Sequence, residues 1–235
     1  MSNIPANLLN NPSFEEGYYY HNRVPELAMP NEWTFWFAPS DEPKLERQDD
    51  AWARPETVVW NRGDAPEQEK DLFFLDGIYC FKCFGAWRPI WWKLMQAVTG
   101  LTPQAPYRFT VPIFPDLVMR YEGRNKVFAD DMLAGEHRLI ARSGGQVCET
   151  GWLNGNQVPF GRYTHFTLDF APPDSDVELT VEVRGRWGLK NNGWFMDKLE
   201  LAAVTQPPPE PVDVAKRLRE VAAELNELAD RVRAA

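Results

Sequence analysis

Aromatic side chains occur in tight groups that could form a binding surface. The groups are "YYY" (Tyr18 to Tyr20), "WTFWF" (Trp33 to Phe37) and "WRPIWW" (Trp87 to Trp92). Indole and phenol rings combine a large apolar face with a polar edge, so exposed ones can stack on the C–H faces of sugar rings. Nearby Asn, Asp and Arg side chains can bond to sugar hydroxyls. The predicted ligand-binding residues are Trp33, Trp36, Trp60, Asn61, Arg62, Asp64, Trp87 and Trp91.

The alternative is that these rings pack in the core or pin loops. For any single tryptophan this alternative is the stronger one, because most large aromatic residues are substantially buried. The chain has ten Trp, seven Tyr and fourteen Phe, more than a core of this size needs. For the set as a whole, we therefore expect at least one exposed aromatic platform.

A second candidate site involves an acidic residue in "GWFMDKLEL", Gly193 to Leu201. If this segment is a strand, Asp197 shares one face with Phe195 and Leu199, because side chains alternate. Lys198 marks the other face, with Trp194, as the wet one. An ionised carboxylate on an apolar face is costly unless it is paired. Its partner could be a metal ion, a Lys or Arg side chain, or backbone N–H groups near a strand end.

Motifs of common enzymes are missing from the sequence. There is no G-x-S-x-G, no P-loop, no H-E-x-x-H and no G-x-G-x-x-G. The three histidines do not lie at metal-ligand spacing. Acidic pairs, Asp130–Asp131 and Glu15–Glu16, could serve glycoside hydrolysis only if the fold placed carboxylates across one bond. We predict that the protein is not an enzyme, and a glycoside hydrolase is the weaker alternative.

The cysteines do not predict a zinc site or a disulfide framework. "CFKC" (Cys80 and Cys83) has half of a zinc-binding pattern, but a second pair is missing and only Cys148 remains. Two free cysteines pointing to opposite faces of a strand are the favoured interpretation.

Composition and charge limit the partners. The 235 residues are 44% hydrophobic and 25% charged, with a net charge of −9 and no Lys/Arg-rich run. Nucleic acid and anionic membranes are therefore unexpected partners. No apolar window is long enough to cross a membrane, and the N-terminus shows no secretory signal pattern. We expect synthesis in the cytoplasm, with incorporation into a virion or surface particle as one destination.

The elements that must position these residues are predominantly strands. "YRFTVPIF", "HFTLDFA" and "VELTVEVRG" alternate apolar and polar residues, as half-buried antiparallel strands do. The predicted fold of residues 1–204 is an all-β sandwich or jelly roll. Residues 38–71 are rich in charge and proline, which predicts long surface loops interrupted at most by the short strand "TVVW".

The C-terminal part has a different pattern. "TQPPPEP" predicts a stiff linker over residues 205–211. In residues 212–235, apolar residues recur at spacings of 4, 3, 4, 3 and 4, which predicts a coiled-coil-like helix. A helix this short needs a partner. We expect self-association into a homo-oligomer, with docking on a larger assembly or folding back on its own domain as alternatives.

Three segments resemble carbohydrate-binding modules of the galactose-binding-domain-like jelly-roll type, families 4, 9 and 22 and their relatives. The segments are "NLLNNPSFEEG", "WWKLMQAVTGLTPQAPYRFTV" and "NNGWFMDKLEL", and they occur in the family's order across residues 7–201. The resemblance implies a non-catalytic binding domain for oligo- or polysaccharides. It also implies a structural Ca²⁺ ion held by Glu15, Asp197 and backbone carbonyls near Ser13, which suits the oxygen ligands that calcium prefers.

The function expected from the sequence is therefore non-catalytic carbohydrate binding through an aromatic surface, displayed in several copies. The alternative is a structural, decorating or receptor-binding component of a virion or cell-surface assembly. The long segment 38–71 and the C-terminal helix both depart from the pattern of the resembled modules.

Overall fold

The computed structural model of the protein describes residues 7–48 and 50–204. The predicted linker (205–211) and helix (212–235) lie outside the described residues. Within the described part, no helix is long and apolar enough to cross a membrane.

Two antiparallel sheets form a β-sandwich, which confirms the predicted all-β class. The six-stranded sheet contains β3 (Thr34–Phe37), β6 (Ile90–Val98), β9 (Gly135–Ser143), β10 (Gln146–Glu149), β11 (Leu153–Asn154) and β13 (Val177–Gly185). The seven-stranded sheet contains β4 (Glu56–Asn61), β5 (Tyr79–Gly85), β7 (Tyr107–Glu122), β8 (Asn125–Phe128), β12 (Thr164–Phe170), β14 (Asn191–Met196) and β15 (Glu200–Ala203). A separate hairpin pairs β1 (Tyr18–Tyr20) with β2 (Ala28–Pro30).

The strand order places β9, β13, β6 and β3 beside one another. The six-stranded sheet runs β10-β9-β13-β6-β3, with β11 paired to β9, and the seven-stranded sheet runs β12-β7-β14-β5-β4. β6 and β13 pair over nine positions, from Val177 with Val98 to Gly185 with Ile90. This long register fixes which side chains stand next to each other on both faces of the sheet.

The core lies between the two sheets and is built by strict alternation. Phe35, Leu94, Val181 and Leu139 form one row across four neighbouring strands, and all are buried. The predicted inward faces of β7 and β13 are confirmed, since their alternate apolar residues are buried. The residues between them therefore point away from the core.

A short helix covers the outer face of the seven-stranded sheet. The helix α1 (Glu67–Phe73) and the residue that follows it bring Phe73 and Phe74 against Trp60 and Phe195. The rings of Phe73 and Phe195 stack at 3.9 Å between centroids. The sequence predicted only loops here. Seven residues are too few for a recognisable helical period, and tertiary packing rather than propensity stabilises so short a helix.

The segment "GWFMDKLEL" is not one strand, which corrects the prediction. β14 ends at Met196 and β15 begins at Glu200, with Lys198 between them at a left-handed φ of 57°. Trp194, assigned to the wet face, is fully buried in the core between the sheets. Phe195 faces α1 instead. Both faces of β14 are covered, because the core between the sheets lies on the Trp194 side and α1 packs on the Phe195 side.

The packing of α1 predicts that truncating Phe73 lowers the free energy of unfolding much more than truncating its neighbour Leu72. Phe73→Ala should destabilise the fold by about 3–5 kcal/mol, because it empties a stacked, fully buried site. Leu72→Ala, at a side chain that is 40% exposed, should cost less than about 1 kcal/mol. Urea unfolding of both variants checks this, and equal losses would show that α1 does not seal the sheet.

Candidate functional site

The outer face of the six-stranded sheet forms a patch of tryptophans and charged residues, here called the tryptophan face. Its members are Trp36, Trp91, Lys93, Glu136, Arg138, Trp152, Glu182 and Arg184. Cross-strand pairing of β3, β6, β13 and β9 arranges most of these residues in two rows. One row joins Trp36, Lys93, Glu182 and Arg138, and the other joins Trp91, Arg184 and Glu136.

Trp91 is the centre of an aromatic cluster on this face. Its ring meets Trp36 edge to face, with centroids 5.4 Å apart, and lies 5.5 Å from Trp52. Trp52 is buried, and its indole N–H donates to the carbonyl of Pro43 at 3.1 Å. The segment that the sequence predicted as surface loop therefore folds against the edge of the face and supports Trp91.

Cationic side chains lie against the indole rings. The guanidinium carbon of Arg184 lies 4.2 Å from the ring centroid of Trp91 and 3.9 Å from that of Trp152. Lys93 Nζ lies 4.6 Å from the Trp36 centroid, and the guanidinium carbon of Arg138 lies 4.6 Å from the Trp152 centroid. Cation–π contacts of this kind hold rings and cations in fixed orientations when they are partly desolvated.

Two buried carboxylates hold these cations from below. Glu182 is fully buried and accepts from Arg138 Nε at 2.7 Å and from the indole N–H of Trp91 at 2.8 Å. Lys93 Nζ is 3.5 Å from the same carboxylate. Glu136 accepts from Arg186 Nη2 at 2.8 and 2.9 Å. Each carboxylate thereby anchors side chains from at least one neighbouring strand or loop.

Glu182 is ionised at neutral pH despite its burial. Burial alone would raise the pKa of its carboxyl, but hydrogen bonds from Arg138 and Trp91 and the charge of Lys93 together lower the pKa below the usual value. Burial lowers the pKa of the Arg184 guanidinium, with Glu136 and Glu182 opposing that effect. An arginine remains protonated under such conditions, so the face holds fixed charges of both signs.

The predicted binding residues do not form one site. Trp36 and Trp91 lie on the tryptophan face. Trp33 does not, which corrects its assignment to a surface. It is 1% exposed, and its indole N–H donates to the Asn11 carbonyl. Within "WTFWF" the alternation of β3 sends Trp36 outward, whereas Trp33 precedes the strand and packs inside.

Trp60 and Asn61 end β4 of the seven-stranded sheet, and Arg62 and Asp64 lie in the turn that follows it. Trp60 packs against the α1 cluster, Asn61 accepts from the Gly63 N–H at 2.7 Å, and Arg62 pairs with Asp71 at 2.5 Å. Asp64 is exposed at the end of a short 3-10 turn (Arg62–Asp64). These four residues are therefore separated from Trp36 and Trp91, because β4 and β6 belong to different sheets.

Trp87 occupies the turn between β5 and β6 rather than a sheet face. It is 63% exposed and adopts a left-handed φ of 61°, which is unusual for a bulky residue. Its backbone N–H donates to the Leu189 carbonyl at 2.7 Å. Its role in ligand binding remains a prediction.

Trp152 and the arginines of the face were missed from the sequence. Trp152 lies just before the two-residue strand β11, where no alternation marks its side. Arg138 and Arg184 occur within alternating strands, where a charged residue is the ordinary choice for a solvent-facing position. Only the cross-strand register of β9, β13 and β6 brings them to the indoles.

The candidate metal ligands Glu15 and Asp197 both bind backbone amides of the loop before β5. Asp197 Oδ2 accepts from the N–H groups of Leu75 and Asp76 at 2.7 and 2.9 Å. Glu15 Oε1 accepts from Ile78 and Tyr79 at 2.7 and 2.8 Å. The expectation that Asp197 could accept backbone N–H bonds near a strand end is confirmed.

One oxygen of this cluster remains without a partner. Asp197 Oδ1 is buried and accepts no hydrogen bond within the described residues. Burial raises the pKa of this carboxyl to about 7, although the backbone N–H donors oppose the rise. Ser13 Oγ donates to Asp76 at 3.0 Å beside it. Within residues 7–48 and 50–204, no group of three or more His, Cys, Asp or Glu residues could hold a metal.

The fold is similar to that of solved carbohydrate-binding modules. A family 61 module in complex with β-1,4-galactotriose aligns with a TM-score of 0.50 and 15% identity, covering 85% of this chain and 99% of that one. A Stig cyclase from Fischerella sp. TAU gives 0.48 and 17%, covering 86% and 98%. A family 22 xylan-binding domain from Paenibacillus barcinonensis gives 0.46 and 11%, covering 88% and 100%. No protein-family model and no curated protein matches the chain.

The likeness to the family 61 module supports the sandwich fold expected from the three sequence segments. At such an identity it establishes fold alone, and the ligands of the aligned proteins belong to those proteins.

The raised pKa of Asp197 predicts a specific pH dependence of stability. The folded carboxyl titrates at about 7, whereas an unfolded Asp titrates at about 3.9. The native state therefore keeps a proton that the unfolded state has lost, and stability falls as pH rises from about 4 to about 7, by on the order of a few kcal/mol. Asp197→Asn should abolish this fall.

The test compares the two proteins across pH, because buried His137 acts in the opposite sense. Burial lowers the pKa of His137 to about 3, so its contribution is lost as pH falls below about 6.5. The stability of each protein is measured by thermal unfolding at each pH. The difference between wild type and Asp197→Asn then gives the contribution of Asp197 alone. Parallel curves between pH 4 and pH 8 would contradict the buried, proton-holding Asp197.

Proposed function

We propose that the protein binds carbohydrate without catalysis, through the tryptophan face. The supporting observation is the group of three half-buried indoles, Trp36, Trp91 and Trp152, which lie against cations that buried carboxylates hold. Rigid aromatic rings beside hydrogen-bonding groups match the two faces of a sugar ring, which has apolar C–H bonds and polar hydroxyls. Little rotamer entropy is lost when such preorganised side chains bind a ligand.

The charged groups give the site its polar component. Arg138 and Arg184 lie against Trp152, and Lys93 lies against Trp36, so each outer indole has donors beside it. Glu149 is exposed at the rim and accepts from Arg138 Nη1 at 2.8 Å. Hydroxyls of a sugar stacked on Trp36 or Trp152 would therefore find both donors and acceptors.

The electrostatics of the face favour binding over hydrolysis. A glycosidase acid needs a raised pKa so that it is protonated at working pH. The pKa of Glu182 is lowered, and its oxygens are already engaged by Arg138, Trp91 and Lys93. Glu136 is held by Arg186 in the same way. Both carboxylates are built as anchors for cations rather than as proton donors.

Multivalent display is part of the proposal. The heptad pattern of residues 212–235 favours association of several chains, and the proline-rich residues 205–211 favour separation of the helix from the sandwich. Linking several weak sugar sites raises avidity by about 10²–10⁴. The same helix would suit attachment to a virion or surface particle made in the cytoplasm, which is the second candidate role.

Glycan binding is tested with a glycan array and matched tryptophan and tyrosine variants. Wild type should bind a coherent set of glycans, and Trp36→Ala or Trp152→Ala should weaken binding about tenfold by removing a stacking platform. Tyr121→Ala is the control, because this exposed aromatic residue belongs to β7 on the other sheet. Deleting residues 205–235 should lower avidity without changing which glycans bind.

If the folded protein binds no glycan on the array, carbohydrate binding is contradicted and the structural role is favoured. Equal losses in Trp36→Ala and Tyr121→Ala would place the site elsewhere.

We also propose that a Ca²⁺ ion binds beside Asp197 and Glu15. The unpartnered buried Oδ1 of Asp197 supports this, as does an adjoining cleft of about 480 Å³ lined in part by Pro12, Ser13 and Asp76. Calcium takes six to eight oxygen ligands. Two carboxylates are too few, so backbone carbonyls near Ser13 and water would complete the set. The ion would neutralise the carboxylates and link the N-terminal segment of the sandwich to the segment between β14 and β15.

Calcium binding predicts a metal-dependent melting temperature. At pH 8, added Ca²⁺ should raise the melting temperature and EDTA should reverse the rise, because a ligand of the native state stabilises it. Asp197→Asn and Glu15→Gln should lose the response. Glu16→Gln should keep it, since Glu16 contributes its backbone and not its carboxylate to the described hydrogen bonds. An unchanged melting temperature in wild type would rule the ion out.

A further inference from the structure

The charges on the tryptophan face are not balanced. Four cationic side chains surround the two buried carboxylates Glu136 and Glu182: Lys93, Arg138 and Arg184 of the face, and Arg186 next to it. The nearest cation–carboxylate distances range from 2.7 to 3.5 Å. Two positive charges therefore exceed the negative charges in this layer.

Neighbouring acidic groups do not remove the excess. Glu149 is the one further carboxylate bonded to these cations within the described residues, and its side chain is 41% exposed at the rim. The next pair along the sheet, Arg142 with Glu178, neutralises itself at 3.4 Å. Counting Glu149 still leaves one positive charge uncompensated.

These cations are poorly hydrated. The side chains of Arg184, Arg186, Arg138 and Lys93 are only 14% to 25% exposed. The Nε atoms of Arg184 and Arg186 are buried and find no hydrogen-bond partner within the described residues. A cluster of poorly hydrated cations whose charge is only partly compensated is costly, and an anionic ligand would relieve that cost.

The local charge is opposite to that of the whole chain. The protein has a net charge of −9, so it repels polyanions at long range. A concentration of cations between indoles on one face is therefore a local feature, suited to short-range recognition of an anion. The planar guanidinium group presents parallel donors that match the two oxygens of a carboxylate.

We propose that the saccharide bound by the tryptophan face is acidic, with hexuronate residues whose carboxylates pair with Lys93, Arg138 and Arg184. This rests on the proposed carbohydrate binding and adds the chemical class of the ligand. The indoles stack on the sugar ring, while the cations bind its carboxylate.

The experiment compares each hexuronate polysaccharide with its own carboxyl-reduced form. Full-length protein is titrated with polygalacturonate, alginate and hyaluronan, each before and after reduction of the carboxylates to hydroxymethyl groups. Neutral galactan and xylan are included. At least one acidic polymer should bind at least about tenfold more tightly than its reduced form, and its affinity should fall between about 50 mM and about 300 mM salt.

Three variants test the assignment to these residues. Lys93→Met should weaken binding of the acidic polymer about five- to tenfold, and by more than it weakens binding of any neutral glycan. It leaves Glu182 bonded to Arg138 and Trp91, so the face is retained. Lys93→Arg should restore the affinity. Arg142→Gln is the control, since Arg142 is paired with Glu178 outside the tryptophan face.

The outcomes separate this inference from the proposed function. Equal binding of acidic and reduced polymers, or binding of neutral glycans alone, would overturn the acidic-ligand inference and leave carbohydrate binding intact. No binding to any polymer would overturn both. The assignment to the tryptophan face would be overturned if Lys93→Met left the preference for the acidic form unchanged. It would also be overturned if Arg142→Gln reduced that preference as much as Lys93→Met does.

Discussion

The buried carboxylate of Glu182 is the interaction on which the tryptophan face depends. A fully buried, ionised carboxylate is tolerated only when several donors surround it. Arg138, Lys93 and Trp91 supply them from the two strands on either side of β13. Their positions then fix where the neighbouring rings lie. Removing Glu182 would leave Lys93 without its counter-charge and Arg138 with only the exposed Glu149, and it would release the indole of Trp91.

The two outer faces of the sandwich differ in what covers them, and this difference leaves room for the tryptophan face. Helix α1 covers the seven-stranded sheet with phenylalanines, so that face becomes a second small core. The six-stranded sheet keeps charged and indole side chains on its outer face, with Trp52 closing one edge. One face is thus used for stability and the other remains available for a ligand.

Sequence reasoning recovered the β class and the inward faces of β7 and β13, but it assigned β14 the wrong inward face and found only part of the site. Alternation alone identifies the buried rows of β7 and β13, because each strand's period is local. The tryptophan face depends on register between β3, β6, β13 and β9, which are far apart in the chain, and no local pattern encodes it. Trp33 and Trp36 show the limit within one motif, since three positions separate a core ring from a surface ring.

The same limit applies to Asp197. Its burial followed from the apolar neighbours on its side of the predicted strand. Its partners did not, because the amides of Leu75 and Asp76 come from a loop more than a hundred positions away. The resemblance of the terminal segments to carbohydrate-binding modules linked Glu15 with Asp197, and the structure joins both to that one loop.

A saccharide bound to the tryptophan face would change the surroundings of the indole N–H groups there, and their NMR resonances report this binding. Ten tryptophans give separate signals in a ¹⁵N-labelled sample, assigned by single substitutions. Titration with a bound saccharide should shift Trp36, Trp91 and Trp152 and leave buried Trp33 and Trp194 unchanged. Shifts confined to Trp60 or Trp87, with Trp36 and Trp152 unmoved, would show that the saccharide does not bind the tryptophan face.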